Sequence, residues 1–274
     1  MLYLLRNLKD LKIKFSKYHG SGNDFILIDN RKNTVRESKE LIRTMCDRHM
    51  GIGADGLMLL FEHPALDFSM KYFNADGEEG SMCGNGGRCI AFFAQKLGII
   101  GKKASFSSID GVHQAEIKSA GDQQARIRIS LNDVLLVKEM PDGYWLDTGS
   151  PHFVIFTEEL TDEKVLGDGQ KLRHDSRFGQ HGTNVNFVQI KNAEGLFVRT
   201  YERGVENETL SCGTGVTAAA IAAAFSGKLN TSRINIRTKG GDLLVTFDQK
   251  KGLFSSIMLE GPAEFVFSGK IKSL

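Results

Sequence analysis

Cys83-Gly84-Asn85-Gly86-Gly87 and Cys212-Gly213-Thr214-Gly215 are the two stretches that decide the fold of this chain. They lie 129 residues apart (212 − 83 = 129), and a shift of the sequence against itself by that distance superimposes further residues without a gap. The superimposed pairs include Gly20-Ser21 with Gly149-Ser150, Phe68 with Phe197, Tyr72 with Tyr201, Gly98 with Gly227 and Gly111 with Gly240. Glycines and cysteines dominate these matches, so the sequence predicts two copies of one structural unit.

Each of the two stretches begins a predicted helix. The first helix is predicted from Gly84 to Leu97 and the second from Gly213 to Ser226. A glycine directly after each segment, at 98 and 227, is a typical helix stop because it adopts the left-handed conformation easily. The second segment is made almost entirely of alanine and other apolar residues, so we expect that helix to be buried inside its unit.

Strand-like segments surround both helices. Short apolar runs at 25–28 and 153–156 predict buried strands, and segments 68–73, 196–201, 124–129 and 243–247 also resemble strands. The predicted fold class is therefore α+β, with two pseudo-symmetric domains, each a curved mixed sheet around a central helix. We expect an N-terminal domain of residues 1–130 together with about 262–274, and a C-terminal domain of residues 131–261.

Bulk composition excludes several classes of protein. The 274 residues are 41% apolar and 25% charged, with 35 basic and 33 acidic residues and a net charge of +2. No basic run indicates nucleic acid, and no apolar run reaches the roughly 18 residues of a membrane span. Met1–Lys12 is only briefly apolar and carries four charged residues, unlike a secretory signal. We therefore expect a cytoplasmic protein that binds neither nucleic acid nor membrane.

Cysteine usage points to chemistry at two positions. Four cysteines are too few for a disulfide scaffold in a chain of this length, and Cys46 and Cys89 are interpreted as core residues. Cys83 and Cys212 each precede a glycine-rich helix start, where the helix N-terminus stabilises a thiolate. The glycines leave backbone N–H groups exposed there, which predicts an anion site suited to a carboxylate.

The predicted pseudo-symmetry suggests a chemical role for these two stretches. Two units related by a pseudo-twofold axis are expected to set their helix starts opposite each other, with one sulfur on each side of a bound α-carbon. Inversion of a stereocentre needs one group to remove a proton and another to deliver one to the opposite face. A thiolate and a thiol can do this without pyridoxal phosphate, so we expect no cofactor. We also expect no metal, because neither C-x-x-C nor H-x-x-x-H spacing is present.

Six motifs in order carry a resemblance to a known family. They are Lys17-Tyr-His-Gly-Ser-Gly-Asn-Asp-Phe25, Gly51-Ile-Gly-Ala-Asp-Gly56, Phe73-Asn-Ala-Asp-Gly77, Met82-Cys-Gly-Asn-Gly-Gly-Arg-Cys89, Thr183-Asn-Val-Asn-Phe187, and Tyr201-Glu-Arg-Gly204 leading to Ser211-Cys-Gly-Thr-Gly215. From about Ile13 to Leu274 the chain resembles diaminopimelate epimerase. The resemblance implies a cofactor-independent enzyme that interconverts LL- and meso-2,6-diaminopimelate for lysine and peptidoglycan precursors. A homodimer is one assembly that this interpretation allows.

The resemblance also implies a set of site residues. By motif, Cys83 and Cys212 are the acid–base pair. The expected substrate-binding residues are Asn23, Asn74, Asn184, Glu202 and Arg203, with the backbone N–H groups of Gly84, Asn85, Gly213 and Thr214; His152 and Ser150 are expected to support the site. Asparagine suits a zwitterion because it both donates and accepts, and arginine can clamp a distal carboxylate.

Three positions depart from the family pattern. Ser150 stands where the family commonly has asparagine, and we expect its shorter hydroxyl to act through water. Gly56 stands where some members have glutamine. One extra residue within Val205-Glu206-Asn207 is expected to bulge in a loop.

Three alternatives stay open from the sequence. Another two-cysteine racemase, of the proline or hydroxyproline type, has a similar second motif but usually histidine at the position of Asn85. A non-catalytic amino-acid-binding protein would use the two cysteines only at helix caps. A thiol-redox or zinc protein would use them as a dithiol or as ligands with histidine.

Overall fold

A computed structural model describes residues 12–272. The helices are α1 (Lys39–Cys46), α2 (Gly84–Lys96), α3 (Gly169–Arg173) and α4 (Gly213–Phe225), with a π-helical turn at Lys164–Asp168 and a 3-10 turn at Ser176–Phe178. The strands are β1 (Lys12–Gly20), β2 (Asn23–Asp29), β3 (Gly56–Phe61), β4 (Phe68–Asn74), β5 (Lys103–Ser108), β6 (Gly111–Ala120), β7 (Gln124–Ser130), β8 (Val137–Met140), β9 (Gly143–Asp147), β10 (Pro151–Phe156), β11 (Asn184–Asn192), β12 (Gly195–Glu202), β13 (Asn207–Thr209), β14 (Arg233–Thr238), β15 (Gly241–Lys250) and β16 (Leu253–Lys272).

The described chain divides into two compact units. The first contains residues 12–20, 24–127 and 263–272, and the second contains residues 21–23 and 128–262. In the first unit the strands follow the order β1-β2-β3-β4-β5-β6-β7, and the last part of β16 pairs with β1 from Lys12↔Lys272 to His19↔Glu264. In the second unit the order is β8-β9-β10-β11-β12-β14-β15-β16, and β13 pairs with β12.

The repeat predicted from the sequence is visible in the elements of both units. Helices α2 and α4 begin and end 129 residues apart (213 − 84 and 225 − 96), and both end at a left-handed glycine, Gly98 with φ 71° and Gly227 with φ 69°. The mixed pairing also repeats, with β2–β3 and β10–β11 parallel and β3–β4 and β11–β12 antiparallel. The predicted α+β class with an internal repeat is therefore confirmed.

Two strands of the second unit depart from the gapless repeat. Strand β10 is displaced by one residue, since Phe153 pairs with Val185 as Phe25 pairs with Gly56, and β12 is displaced by two. In the first unit Gly56 pairs with Asn74 across β3–β4, whereas Val185, 129 residues after Gly56, pairs with Tyr201 across β11–β12. The sheet thus matches Asn74 with Tyr201, although the gapless alignment matches it with Arg203. The connection between β11 and β12 is shorter than that between β3 and β4, and the strands are longer, so the register moves by two residues. A two-residue shift keeps each side chain on its own face of the sheet.

Each central helix is enclosed by the sheet of its own unit. In α2 the residues from Gly84 to Ala94 are all buried, and this helix contacts β1, β3 and β6. In α4 the buried residues include an unbroken run from Gly215 to Ala223, and the helix contacts six strands of its unit. The small alanine side chains let strands approach this helix from all sides, as its composition predicts. Within the described residues, no helix has the length and apolar character needed to cross a membrane.

Candidate active site

Cys83 is the N-cap residue of α2. Its backbone is extended, with φ −91° and ψ 125°, and its carbonyl oxygen accepts a hydrogen bond of 2.7 Å from the N–H of Gly87. The thiol makes no capping hydrogen bond to the first turn of its helix, and the residue is only partly buried. The sulfur therefore lies at the positive end of the helix dipole, where a thiolate is stabilised.

A buried guanidinium lies against the first turn of the same helix. Arg88 is fully buried, and its Nη1 donates to the carbonyl oxygen of Gly84 at 3.1 Å while its Nη2 donates to Oδ1 of Asn85 at 2.8 Å. Burial lowers the pKa of Arg88 to about 10, and the nearby thiols of Cys89 and Cys83 act in the opposite direction. Arg88 thus keeps its positive charge at neutral pH and places it close to Cys83.

The backbone of β1 packs closely on this helix start. A Cβ atom on Gly20 would lie 2.9 Å from the carbonyl oxygen of Asn85, so only glycine fits at the end of β1. Asn85 itself is almost completely buried. Its side-chain oxygen accepts from Arg88, so this side chain helps to hold the buried guanidinium.

Two other expected substrate-binding residues lie at strand ends. Asn74 is the exposed last residue of β4, and Asn23 is the half-buried first residue of β2. The residue after Asn23 is firmly anchored, because the carboxylate of Asp24 accepts hydrogen bonds of 3.0 and 2.8 Å from Arg48 and forms an ion pair of 2.8 Å with Lys17. This anchoring fixes the backbone at the start of β2.

Cys212 occupies the same place in the second unit. It is the N-cap residue of α4, with φ −112° and ψ 113°, and is 7% exposed. Its Sγ lies 3.5 Å from Oγ1 of Thr214, a normal hydrogen-bond distance for sulfur. The backbone of Thr214 is also tied to the strand edge, since its carbonyl oxygen accepts a hydrogen bond of 3.0 Å from the hydroxyl of Thr148.

Three side chains converge on the Thr214 hydroxyl. Nε2 of His152 lies 2.9 Å from Thr214 Oγ1 and 3.0 Å from Ser150 Oγ, and the two hydroxyl oxygens are 3.3 Å apart. The hydroxyl of Ser150 therefore contacts both His152 and Thr214 directly. Its predicted contact with the substrate through water stays a prediction. His152 is fully buried, and burial together with the charge of Arg203 lowers its pKa to about 3. The imidazole is neutral at physiological pH.

Asn184 links this cluster to Arg203. Its Oδ1 accepts a hydrogen bond of 2.9 Å from the backbone N–H of Arg203, and its Nδ2 donates to the carbonyl oxygen of Pro151 at 2.9 Å. Its Nδ2 also donates to Oγ of Ser150 at 3.5 Å, so most of its hydrogen-bonding capacity goes to the protein. Glu202 is half-buried, and its Oε2 accepts a hydrogen bond of 2.8 Å from Thr209 on β13.

The structure shows where the other two departures from the family pattern lie. A Cβ atom on Gly56 would lie 2.6 Å from the carbonyl oxygen of Phe73, which explains why no side chain stands there. Val205 and Glu206, where the extra residue is expected, lie in the turn of residues 203–206 between β12 and β13, and Glu206 adopts a φ of 56°.

Sequence reasoning left out two residues that the structure brings to these clusters. Arg88 is the one charged residue between Gly84 and Ala94, a segment of mostly small and apolar residues, and that contrast is a usable signal. Asn186 follows Asn184 by two residues in a strand, so both amides project from the same face of the sheet. Among residues 12–272, no group of three or more histidine, cysteine, aspartate or glutamate side chains is arranged to hold a metal ion.

Comparisons with a family model and with known sequences agree on one family. The family model described as diaminopimelate epimerase matches residues 15–133 and 144–266. A diaminopimelate epimerase from Flavobacterium psychrophilum is 47% identical over 260 residues, which cover 94% of this chain and 100% of the relative. A diaminopimelate epimerase from Chlorobaculum tepidum is 41% identical over 92% of this chain and 98% of the relative.

Solved structures share the fold at low sequence identity. A PhzF-family phenazine biosynthesis protein from Bacillus anthracis superimposes with a TM-score of 0.76 at 12% identity, covering 96% of this chain and 100% of that chain. A hydroxyproline epimerase from Agrobacterium vitis superimposes with a TM-score of 0.71, also at 12% identity, covering 95% of this chain and 92% of that chain. At this identity the likeness shows a common two-domain fold and nothing about substrate.

Proposed function

Because this chain belongs to the diaminopimelate epimerase family, we propose that it interconverts LL- and meso-2,6-diaminopimelate and that Cys83 and Cys212 transfer the α-proton. The chain is accordingly an isomerase of the epimerase type. The residue roles are part of the proposal and are supported by the arrangement of each unit.

One observation carries this proposal. Each unit presents a cysteine as the N-cap of its buried central helix, and the two positions are related by the internal repeat. Neither thiol caps a backbone N–H in the first turn of its helix, in a place where serine, threonine, aspartate or asparagine normally does so. A cysteine repeated at a position that usually requires a capping oxygen is better explained by proton transfer than by helix stability.

The proposed reaction follows from thiol chemistry. A thiolate removes the α-proton of the substrate, and the other sulfur, as a thiol, delivers a proton to the opposite face of the same carbon. The two sulfurs exchange protonation states in each turnover, so the reverse reaction begins from the opposite state. The backbone N–H groups of Gly84 and Asn85 and of Gly213 and Thr214 would hold the reacting carboxylate, where the helix dipoles stabilise the developing negative charge.

The remaining polar groups suit a substrate with two ammonium and two carboxylate groups. We assign Arg203 to the distal carboxylate, because a guanidinium forms two parallel hydrogen bonds with it. Its backbone is already positioned by Asn184, which supports that assignment. Asn23 and Asn74 at their strand ends, and Glu202 beside Thr209, supply the neutral and negative partners that the ammonium group requires.

Proton exchange followed by NMR tests the proposal. The protein is incubated with LL-diaminopimelate in D2O with no cofactor added, and the α-proton signal and the meso isomer are followed. We expect deuterium incorporation together with inversion. Exchange of proline or hydroxyproline instead would assign the chain to the racemase alternative, and binding without exchange of any amino acid would leave a binding protein.

Two finer expectations belong to the same proposal. A cytoplasmic location fits an enzyme that needs two reduced thiols, and none of the four cysteines is in a disulfide within residues 12–272. Fractionation of cells that express the tagged protein would test that location.

A homodimer is tested by light scattering of the purified protein, where a mass near 30.3 kDa would identify a monomer instead.

A further inference from the structure

A hydrogen-bonded chain of side chains ends at the sulfur of Cys212. It runs from Asn186 on β11 through His152 on β10 and Thr214 on α4. Its three steps measure 3.1 Å from Asn186 Nδ2 to His152 Nδ1, 2.9 Å from His152 Nε2 to Thr214 Oγ1, and 3.5 Å from Thr214 Oγ1 to Cys212 Sγ.

The orientation of the Asn186 amide is set by groups other than the histidine. The carbonyl oxygen of Phe153 lies 3.3 Å from the amide and can only accept a hydrogen bond, so it must face Nδ2. On the other side, the hydroxyl of Thr200 donates to Oδ1 at 2.9 Å. The second N–H of Nδ2 is therefore the group that points at Nδ1 of His152.

This orientation fixes the proton on the imidazole. A ring nitrogen that accepts a hydrogen bond carries no proton, so Nδ1 of His152 is bare. The ring is neutral and fully buried, so its one proton is on Nε2. Nε2–H then donates to Thr214 Oγ1, with Ser150 Oγ as the second acceptor in reach.

We propose that Asn186 is a positioning residue that holds His152 as the Nε2–H tautomer, so that the Thr214 hydroxyl donates its own proton toward Cys212 Sγ. With the opposite tautomer, Nε2 would carry a lone pair and would draw the Thr214 proton away from the sulfur. The hydrogen bond to sulfur stabilises the thiolate form of Cys212. The inference rests on the proposed role of Cys212 as a proton-transfer group.

The first unit is different at the corresponding positions. The residue that corresponds to Thr214 is Asn85, whose side chain accepts from Arg88. Strand pairing matches His152 with Asp24, because Phe153 pairs with Val185 as Phe25 pairs with Gly56, and the Asp24 carboxylate accepts from Arg48. The second unit thus supplies a neutral hydroxyl donor for its sulfur, whereas the first supplies a buried cation near its sulfur. The two thiols are therefore close to chemically different groups.

The tautomer can be read directly by 15N NMR of the histidine side chains. The His152 signals are assigned by their loss in a His152→Gln variant, and we expect the Nε2–H pattern in the wild-type protein. In Asn186→Asp the carboxylate accepts from Nδ1–H, so we expect Nδ1 to become protonated. A wild-type Nδ1–H tautomer would overturn the inference, whatever the variants do.

Kinetics then test whether the tautomer acts through the hydroxyl. We expect Asn186→Asp to lower kcat/KM near neutral pH by about tenfold and to move its acidic limb to higher pH, because a hydrogen bond to the thiolate is lost. Thr214→Val should show a similar loss of kcat/KM, whereas Thr214→Ser should keep most of the activity. In the Thr214→Val background, Asn186→Asp should cause little further loss of kcat/KM. Full additivity of the two losses would contradict the inference.

A matched control separates this role from a merely structural one. Thr200→Val removes the donor to Oδ1 of Asn186 but leaves Nδ2 facing His152, so the tautomer and the acidic limb should stay as in the wild type. Circular dichroism reports whether each variant folds, and if Asn186→Asp does not fold, the wild-type tautomer and the two Thr214 variants decide. A wild type with the expected tautomer but no epimerisation would instead refute the proposed function.

Discussion

Arg88 and Thr217 occupy the same place in the two central helices, 129 residues apart, and each donates to the carbonyl oxygen of the glycine that begins its helix. The distances are 3.1 Å from Arg88 Nη1 to Gly84 O and 2.9 Å from Thr217 Oγ1 to Gly213 O. Both side chains are fully buried. One copy of the repeat thus carries a buried positive charge where the other carries a neutral hydroxyl, so the two helix starts differ electrostatically.

Replacing Arg88 by methionine should make the thiol of Cys83 harder to ionise. Loss of the nearby positive charge disfavours the ionised form, so the pH at which Cys83 reacts half-maximally with iodoacetamide should rise. The rate is followed by mass spectrometry of the Cys83 peptide. Thr217→Val is the matched control, because it removes a hydrogen bond at the equivalent position without removing charge. An unchanged pH profile in Arg88→Met would show that the guanidinium does not act on this thiol.

Cys83→Ala and Cys212→Ala should each abolish epimerisation while the fold is retained. Loss of one proton-transfer group should lower the rate by at least about 10²–10⁴-fold, measured as formation of the meso isomer from LL-diaminopimelate. Cys46→Ala is the control, because Cys46 is buried in the apolar core of the first unit beside Ile42 and Met45. Wild-type activity in either of the first two variants would rule out the two-thiol mechanism.

Alanine at Gly86 and at Gly215 should have different effects, although the two glycines are equivalent in the repeat. A Cβ atom on Gly86 would meet the flexible end of Met58, which can move aside. A Cβ atom on Gly215 would meet Oδ1 of Asn186 and lie 3.1 Å from Oγ1 of Thr200, both held in hydrogen bonds. We expect Gly215→Ala to lower the thermal midpoint and to disturb the tautomer of His152, while Gly86→Ala is better tolerated. Equal midpoints would contradict this expectation.

Acid should destabilise the fold through His152. Its pKa is about 3 in the folded protein against 6.5 ordinarily, so between those values the unfolded state binds a proton that the folded state does not. The free energy of unfolding should therefore fall as pH drops below 6.5, by roughly 1.4 kcal/mol per pH unit from this group. Urea titrations between pH 7 and 4 would measure the slope.

A His152→Gln variant supplies the comparison for that slope. Its unfolding free energy should depend less steeply on pH between 6.5 and 4, because no imidazole titrates on unfolding at that position. Titration of the Asp24 carboxyl does not account for this pH dependence of the unfolding free energy. Although burial raises its pKa, hydrogen bonds from Arg48 and Lys17 lower it further, so its effect appears in more acidic solution. The same slope in both proteins would show that His152 is not buried as a neutral ring.

The positions of the two central helices and of the two cysteines could be predicted because they depend on local signals, whereas α1 and α3 were not predicted. Glycine at 98 and at 227 ends each helix through its left-handed backbone, and the apolar run of α4 requires burial wherever it lies. The repeat made these signals mutually consistent, since each was found twice at the same spacing. Short apolar runs likewise placed β2 and β10, in which residues 25–28 and residues 153–154 are buried.

The register of β12 could not be predicted in this way. The gapless alignment matched Asn74 with Arg203, and only the strand pairing shows that Tyr201 is the equivalent residue. A shift of two residues leaves the alternation of inward and outward side chains unchanged, so the sequence pattern is the same in both registers. Cross-strand hydrogen bonding distinguishes them, and that is a property of the folded sheet.

By itself, the sequence determined the repeated unit, the two cysteines at their helix starts and the polar residue types available for a zwitterionic substrate. Tertiary structure decided what each of those groups touches: that Arg88 lies against one helix start, and that Asn186, His152 and Thr214 form a chain to Cys212. The physical reason is the range of the interactions. Helix caps and apolar periodicity act within a few residues, whereas a tautomer or the charge near a thiol depends on groups far apart in sequence that only packing brings within hydrogen-bond distance.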